Sequence, residues 1–143
     1  MTELKDLEDR LKKISNSNWA KLFRLIAEIE RTTSFGEMEG GDKNRDGSMT
    51  MPYVNPTKVV DDFLKISYEI GIIPVFDWTS WSEGRELIND RKTDYSKLNI
   101  VTLCKLLTVI IRADRFNEGF LVSCFENGTI LKILKGLKQN VYK

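Results

Sequence analysis

Histidine is missing altogether from this chain of 143 residues. With it go the commonest general acid–base, the commonest metal ligand and the serine–histidine–aspartate arrangement. Cysteine is nearly missing too: Cys104 and Cys124 stand alone, both among apolar residues. Two thiols are too few for an ordinary zinc site. They read as buried, reduced side chains, with a disulfide between them as the other reading. The formal net charge is only +1, without the basic excess that marks most nucleic-acid binders. No apolar run reaches the roughly 20 residues that a bilayer requires. The longest, Ile100 to Ile111, is broken by Thr102, Lys105 and Thr108. The opening MTELKDLEDRLKK has no apolar signal core. These absences predict a cytoplasmic protein with no membrane span, no metal and no cofactor.

What is present suits a single domain over residues 1–143, with 41% hydrophobic and 30% charged residues. Leu4, Leu7, Leu11 and Ile14 recur at spacings of three and four. That predicts a peripheral amphipathic helix within residues 1–16, whose narrow stripe also suits a homodimer seam. Trp19, Leu22, Phe23, Ile26 and Ile29 predict a second helix ending near Arg31. Residues 32–54 are polar and glycine-rich, either a long loop or a small β-hairpin. Asn55 and Pro56 are expected to open a third helix, closed by Gly71. Pro74 makes residues 72–76 an extended connector. Asp77 or Thr79 starts a short fourth helix bearing Trp78, Trp81 and Leu87. Asn99 caps a fifth that is apolar almost all round, which makes residues 99–113 the central helix. Asn127 and Gly128 end a sixth, and Thr129 begins the last. The fold class is therefore all-α, with about six or seven helices around one buried helix.

Three stretches carry candidate chemistry. Asp42-Lys43-Asn44-Arg45-Asp46-Gly47 matches the first half of a calcium loop, with Thr50 at its ninth position. Tyr53 stands where the bidentate glutamate belongs, so a solvated turn is the stronger reading. Phe76-Asp77-Trp78-Thr79-Ser80-Trp81 sets one carboxylate among three aromatics. It reads as an aromatic pocket with an acidic anchor, or as an Asp77 cap with both tryptophans on one core-facing side. The run Arg112-Ala113-Asp114-Arg115-Phe116-Asn117-Glu118-Gly119 lies between two apolar segments. Charges so placed need partners, and the helix is expected to break near Arg115-Phe116, with Asp114 or Asn117 capping the next one and Glu118 in its first turn. Arg112, Asp114, Arg115 and Glu118 form either an ion-pair joint that sets the crossing of two helices, or an anion pocket with a general base. In the first case Arg115→Ala is expected to destabilise the fold.

Met51-Pro52-Tyr53, Phe76-Asp77-Trp78 with Trp81, the run 112–119 and Glu126-Asn127-Gly128-Thr129-Ile130-Leu131 together resemble a bacterial and phage family classed as a domain of unknown function. The resemblance spans roughly Met51 to Leu137. It implies a small bacterial or phage cytoplasmic protein and a loop of varying length before Met51, and it brings no activity, cofactor or catalytic residue. The function expected first is a non-enzymatic interaction protein acting through protein–protein contact. By size and class alone, one form of it is a phage or mobile-element inhibitor of a bacterial defence enzyme. Asp77, Trp78, Trp81, Arg112, Asp114, Arg115 and Glu118 are the candidate binding residues. The second reading gives the charged members of this set to a small-molecule or nucleotide-binding enzyme. The third, nucleic-acid binding, requires Lys12, Lys13, Lys21, Arg24, Lys132, Lys135 and Lys138 to gather on one face.

Overall fold

The computed structural model describes every residue except Met1, Asp42, Thr50, Pro52 and Lys143, together with all side chains but those of residues 2–5 and 39. In chain order it comprises α1 (Thr2–Lys12), α2 (Asn16–Arg31), β1 (Gly36–Glu39), β2 (Tyr53–Pro56), α3 (Lys58–Ile70), α4 (Ser82–Asn89), α5 (Ile100–Ala113), α6 (Phe120–Glu126) and α7 (Thr129–Val141). Single 3-10 turns lie at Trp78–Ser80 and Tyr95–Lys97. The chain is thus a mostly helical domain with one small antiparallel sheet.

Helix α5 is the central element, as its composition predicts. The Asn99 carboxamide oxygen accepts a hydrogen bond from the Thr102 amide at 2.8 Å, fixing where the helix starts. Leu103, Cys104, Leu106, Leu107 and Ile110 are fully buried along it. Helices α4, α6 and α7 pack directly on α5, and α1 crosses it from outside. A second layer, α2 with α3, closes over α7. Phe125 of α6 joins the layers, with its ring centroid 5.4 Å from Phe35 and 5.3 Å from Phe63. Both cysteines are free and buried, and burial pushes each thiol pKa up to about 12.

Residues 32–54 form the hairpin rather than a structureless loop. Its register runs from Gly36 opposite Pro56 to Glu39 opposite Tyr53, with a further bridge between Lys43 and Met49. Pairing carries the chain past the point where a helix is expected, so Asn55 and Pro56 belong to β2 and Thr57 precedes α3. The Thr57 amide donates to Phe35 O at 3.0 Å, continuing the ladder by one pair. Alternation then leaves Pro56 at a position where the ladder needs no amide. Gly36 has no room for a side chain, because a Cβ there would lie 2.9 Å from both Val122 and Val54. This close approach seats the hairpin on α6.

The fourth helix also differs from expectation. Trp78 sits in a 3-10 turn, Trp81 lies outside both that turn and α4, and the two indoles do not share a helical face. The cause is local. Asp77 accepts hydrogen bonds from the Thr79 and Ser80 hydroxyls at 2.8 and 2.7 Å, which holds a single tight turn. Trp81 then folds back over α4, and a Cβ on Gly84 would meet its ring at 2.3 Å. Among the described residues no helix is long and apolar enough to cross a membrane.

Candidate functional site

The turn between α5 and α6 tightens immediately after Ala113. The amides of Phe116 and Asn117 both donate to Ala113 O at 3.0 Å. Side chains that a continuous helix would stack at i,i+3 and i,i+4 therefore fan apart. Asp114 turns toward α6, where its Oδ1 accepts from the Leu121 amide at 3.0 Å. That amide is one of the first-turn donors a helix leaves open, so Asp114 caps α6 from seven residues upstream. Glu118 turns the other way, and its Oε1 accepts from the Val54 amide on β2 at 3.2 Å. Both carboxylates thus bind backbone rather than arginine.

Arg112 is partly exposed and Arg115 exposed, and among the described residues neither guanidinium forms an ion pair. The ion-pair joint expected from the sequence is replaced by two carboxylate–amide bonds. The reason for expecting Arg115→Ala to destabilise the fold goes with it, since among the described residues no carboxylate pairs with that side chain.

The run 112–119 and the aromatic stretch meet at one place. The Phe116 ring, 82% exposed, lies 6.1 Å from that of Trp78 at an angle of 37°. Trp81 goes elsewhere: it meets Phe76 edge-on at 5.8 Å, and the Lys105 ammonium lies 4.3 Å from its ring and 4.8 Å from that of Phe76. Asp77 is exposed, and the hydroxyls of Ser80 and Thr79 hold its carboxyl below the usual aspartate range. Arg85 fastens the same turn by donating to Thr79 O at 2.9 Å. Two cavities each take in one member of the set. Glu118 lines a cavity of about 360 Å³ with Met38, Val54 and Phe120. Trp81 lines another, of about 610 Å³, between α1, α4 and α5. Neither lining includes Asp77, Trp78, Arg112, Asp114 or Arg115.

The hairpin adds exposed apolar residues that are not among the candidate binding residues. Met38, Met49, Met51 and Tyr53 are all exposed on it. Met38 and Val54 reach the turn through the cavity shared with Glu118. One face therefore runs from Met38 and Val54 across Asn117 and Glu118 to Phe116 and Trp78. An aromatic among charges in Arg115-Phe116-Asn117, and the Met51-Pro52-Tyr53 triplet, are the signals that pointed there.

The described part of the calcium-like stretch forms a turn. Asp46 Oδ1 accepts from the Ser48 amide at 3.0 Å and the Ser48 hydroxyl at 2.6 Å, and Asn44 donates to that hydroxyl at 3.1 Å. These bonds build the hairpin tip, and they hold the Asp46 carboxyl below its ordinary pKa. Asp42 and Thr50 lie outside the described residues, as do Pro52 of the Met51–Tyr53 motif and the Leu4 side chain of the first stripe. Among the described residues no cluster of three or more histidine, cysteine or acidic side chains is placed to hold a metal. Of the lysines considered for nucleic acid, Lys12, Lys21 and Lys135 lie 3.6, 3.9 and 3.4 Å from Glu8, Glu69 and Glu30.

A family model described as a family of unknown function (DUF6508) matches residues 14–143. No curated protein and no solved structure matches the chain.

Proposed function

The chain belongs to DUF6508, a family of unknown function, and from its geometry we propose that it is a protein-binding module whose contact face is the hairpin with the α5–α6 turn. The observation that carries this reading is Phe116. A phenylalanine 82% exposed and braced by Trp78, with the exposed Met38 lining a cavity beside the adjoining Asn117 and Glu118, leaves apolar surface in water that a partner would bury. Aromatic anchors and adaptable methionines are the residues that protein interfaces favour. Arg112 and Arg115, free of ion pairs among the described residues, would meet acidic groups at the rim of the same face.

The enzyme reading has less support. Asp114 and Glu118 hold backbone amides, Asp77 holds two hydroxyls, and the cavity that Glu118 lines includes neither of the other two. The nucleic-acid reading loses three of its lysines to neighbouring glutamates. A cytoplasmic location, a bacterial or phage source and inhibition of a defence enzyme are narrower forms of the proposal. The last rests on size and helical class, and the identity of the partner decides it.

The test is capture from an extract of the source cells with tagged wild type, with Phe116→Asp, and with Lys132→Glu, which alters an exposed residue of α7. The expected result is a protein retained by wild type and Lys132→Glu and lost with Phe116→Asp. Retention by all three would place the contact elsewhere, and no retention by any would remove the support for a protein partner.

A further inference from the structure

Among the described residues, helix α1 is held to the rest of the chain mainly by apolar contact. Leu11 is 4% exposed, and Leu7 and Ile14 are partly buried against the core. Among the described residues its one ion pair, Lys12 with Glu8, is internal to the helix, and no hydrogen bond joins it to another element. It lies in a groove wider than itself. On one side a cavity of about 610 Å³ separates Glu8, Leu11 and Lys12 from Trp81, Leu87 and the start of α5. On the other a cavity of about 390 Å³ separates Asp6, Leu7 and Arg10 from the connector at Pro74–Phe76. Lys105 lines both. An apolar cavity of roughly 150 Å³ already accommodates a benzene ring, so two leucines underfill this space.

The groove walls and α1 also differ in how they relate to the family. Phe76, Trp81, Leu87, Leu98, Val101 and Lys105 all fall within the matched residues 14–143, and α1 falls outside them. The walls carry two charges with no opposite partner. Lys105 rests over the Phe76 and Trp81 rings without a carboxylate at ion-pair distance, and Glu83 has no cation there, among the described residues.

We infer that this groove is a docking site for an amphipathic helix of a partner protein, and that α1 is its displaceable internal occupant. The fitting helix carries side chains bulkier than leucine at i, i+4 and i+7, a carboxylate for Lys105 and a cation for Glu83. A second copy of this chain is the poorer occupant, because its α1 would bring the same leucines and fill no more space. The inference stands apart from the proposed hairpin face, since the two share no residue.

Two measurements test it. In the unmodified protein, amide exchange across α1 is expected to be faster than across α5 by a factor on the order of ten or more. In full-length Leu7→Asp/Leu11→Asp, helix content and cooperative unfolding should persist. That variant should bind a synthetic peptide of residues 2–14 carrying Leu7→Phe and Leu11→Trp about tenfold more tightly than wild type does, with a shift of the Trp81 indole resonance. Exchange in α1 as slow as in α5 would overturn the inference, whether or not the variant folds. So would peptide binding that leaves Trp81 unmoved, or a variant with the mass of two chains, which would assign the groove to a second copy.

Discussion

The Glu118 carboxylate accepts a hydrogen bond from the Val54 amide at 3.2 Å, joining residues 64 positions apart. Val54 lies on the outer side of β2, where an unpaired edge amide would otherwise face solvent. Removing the acceptor by Glu118→Ala should cost about 0.5–1.5 kcal/mol, as expected for one partly exposed hydrogen bond, and Glu118→Gln should recover most of it. Denaturant unfolding measures the loss, and amide exchange should show it concentrated at Val54 and its neighbours.

Gly84 tests the packing of Trp81. Gly84→Ala places a methyl group 2.3 Å from the indole, and Trp81 must move off the Lys105 ammonium to make room. Overpacking of this kind costs about 1–3 kcal/mol. The expected result is a lower unfolding midpoint with a changed tryptophan emission maximum, and an unchanged spectrum would show that the ring does not lie over α4.

Ser67 is wholly buried on α3, and its hydroxyl has no partner among the described residues. Ser67→Ala removes a desolvated polar group and adds helix propensity. Stability should rise, by up to about 1 kcal/mol, measured as a higher denaturant midpoint at constant slope. A fall of that size would mean that the hydroxyl has a partner.

The cysteines give a pH dependence with a definite sign. Burial raises both thiols from 9.0 to about 12 in the folded protein, while an unfolded chain ionises them near the ordinary value. The resulting stabilisation is complete below pH 9 and is lost progressively as pH rises toward 12. At pH 8 the folded protein should react with iodoacetamide far more slowly than the denatured chain. Rapid alkylation of the folded protein would contradict the burial.

The fold was legible where local chemistry decides it. Asn99, the apolar span of α5 and the stop at Gly71 are short-range signals, and the described elements follow them. The hairpin was legible only as an alternative, because its register depends on Gly36 meeting Val122 on a helix far away in sequence. Asn55 and Pro56 look like a helix start until pairing with Glu37 and Gly36 claims them. The site residues were half legible for the same reason. A break close to Ala113 and a capping Asp114 are legible locally, but periodicity cannot show that Glu118 reaches the Val54 amide 64 positions away. It also cannot show that Trp78 meets Phe116 while Trp81 meets Lys105. The exposed Met38 was missed because nothing local distinguishes a solvent-facing methionine from a buried one.

The most direct test of the proposed face is the dissociation constant of the captured partner for wild type and for Phe116→Ala, measured by titration calorimetry. The anchor role of Phe116 predicts a loss of about tenfold or more, roughly 1.4 kcal/mol, with thermal unfolding unchanged because the side chain is 82% exposed. Equal affinity for the two proteins would contradict the account.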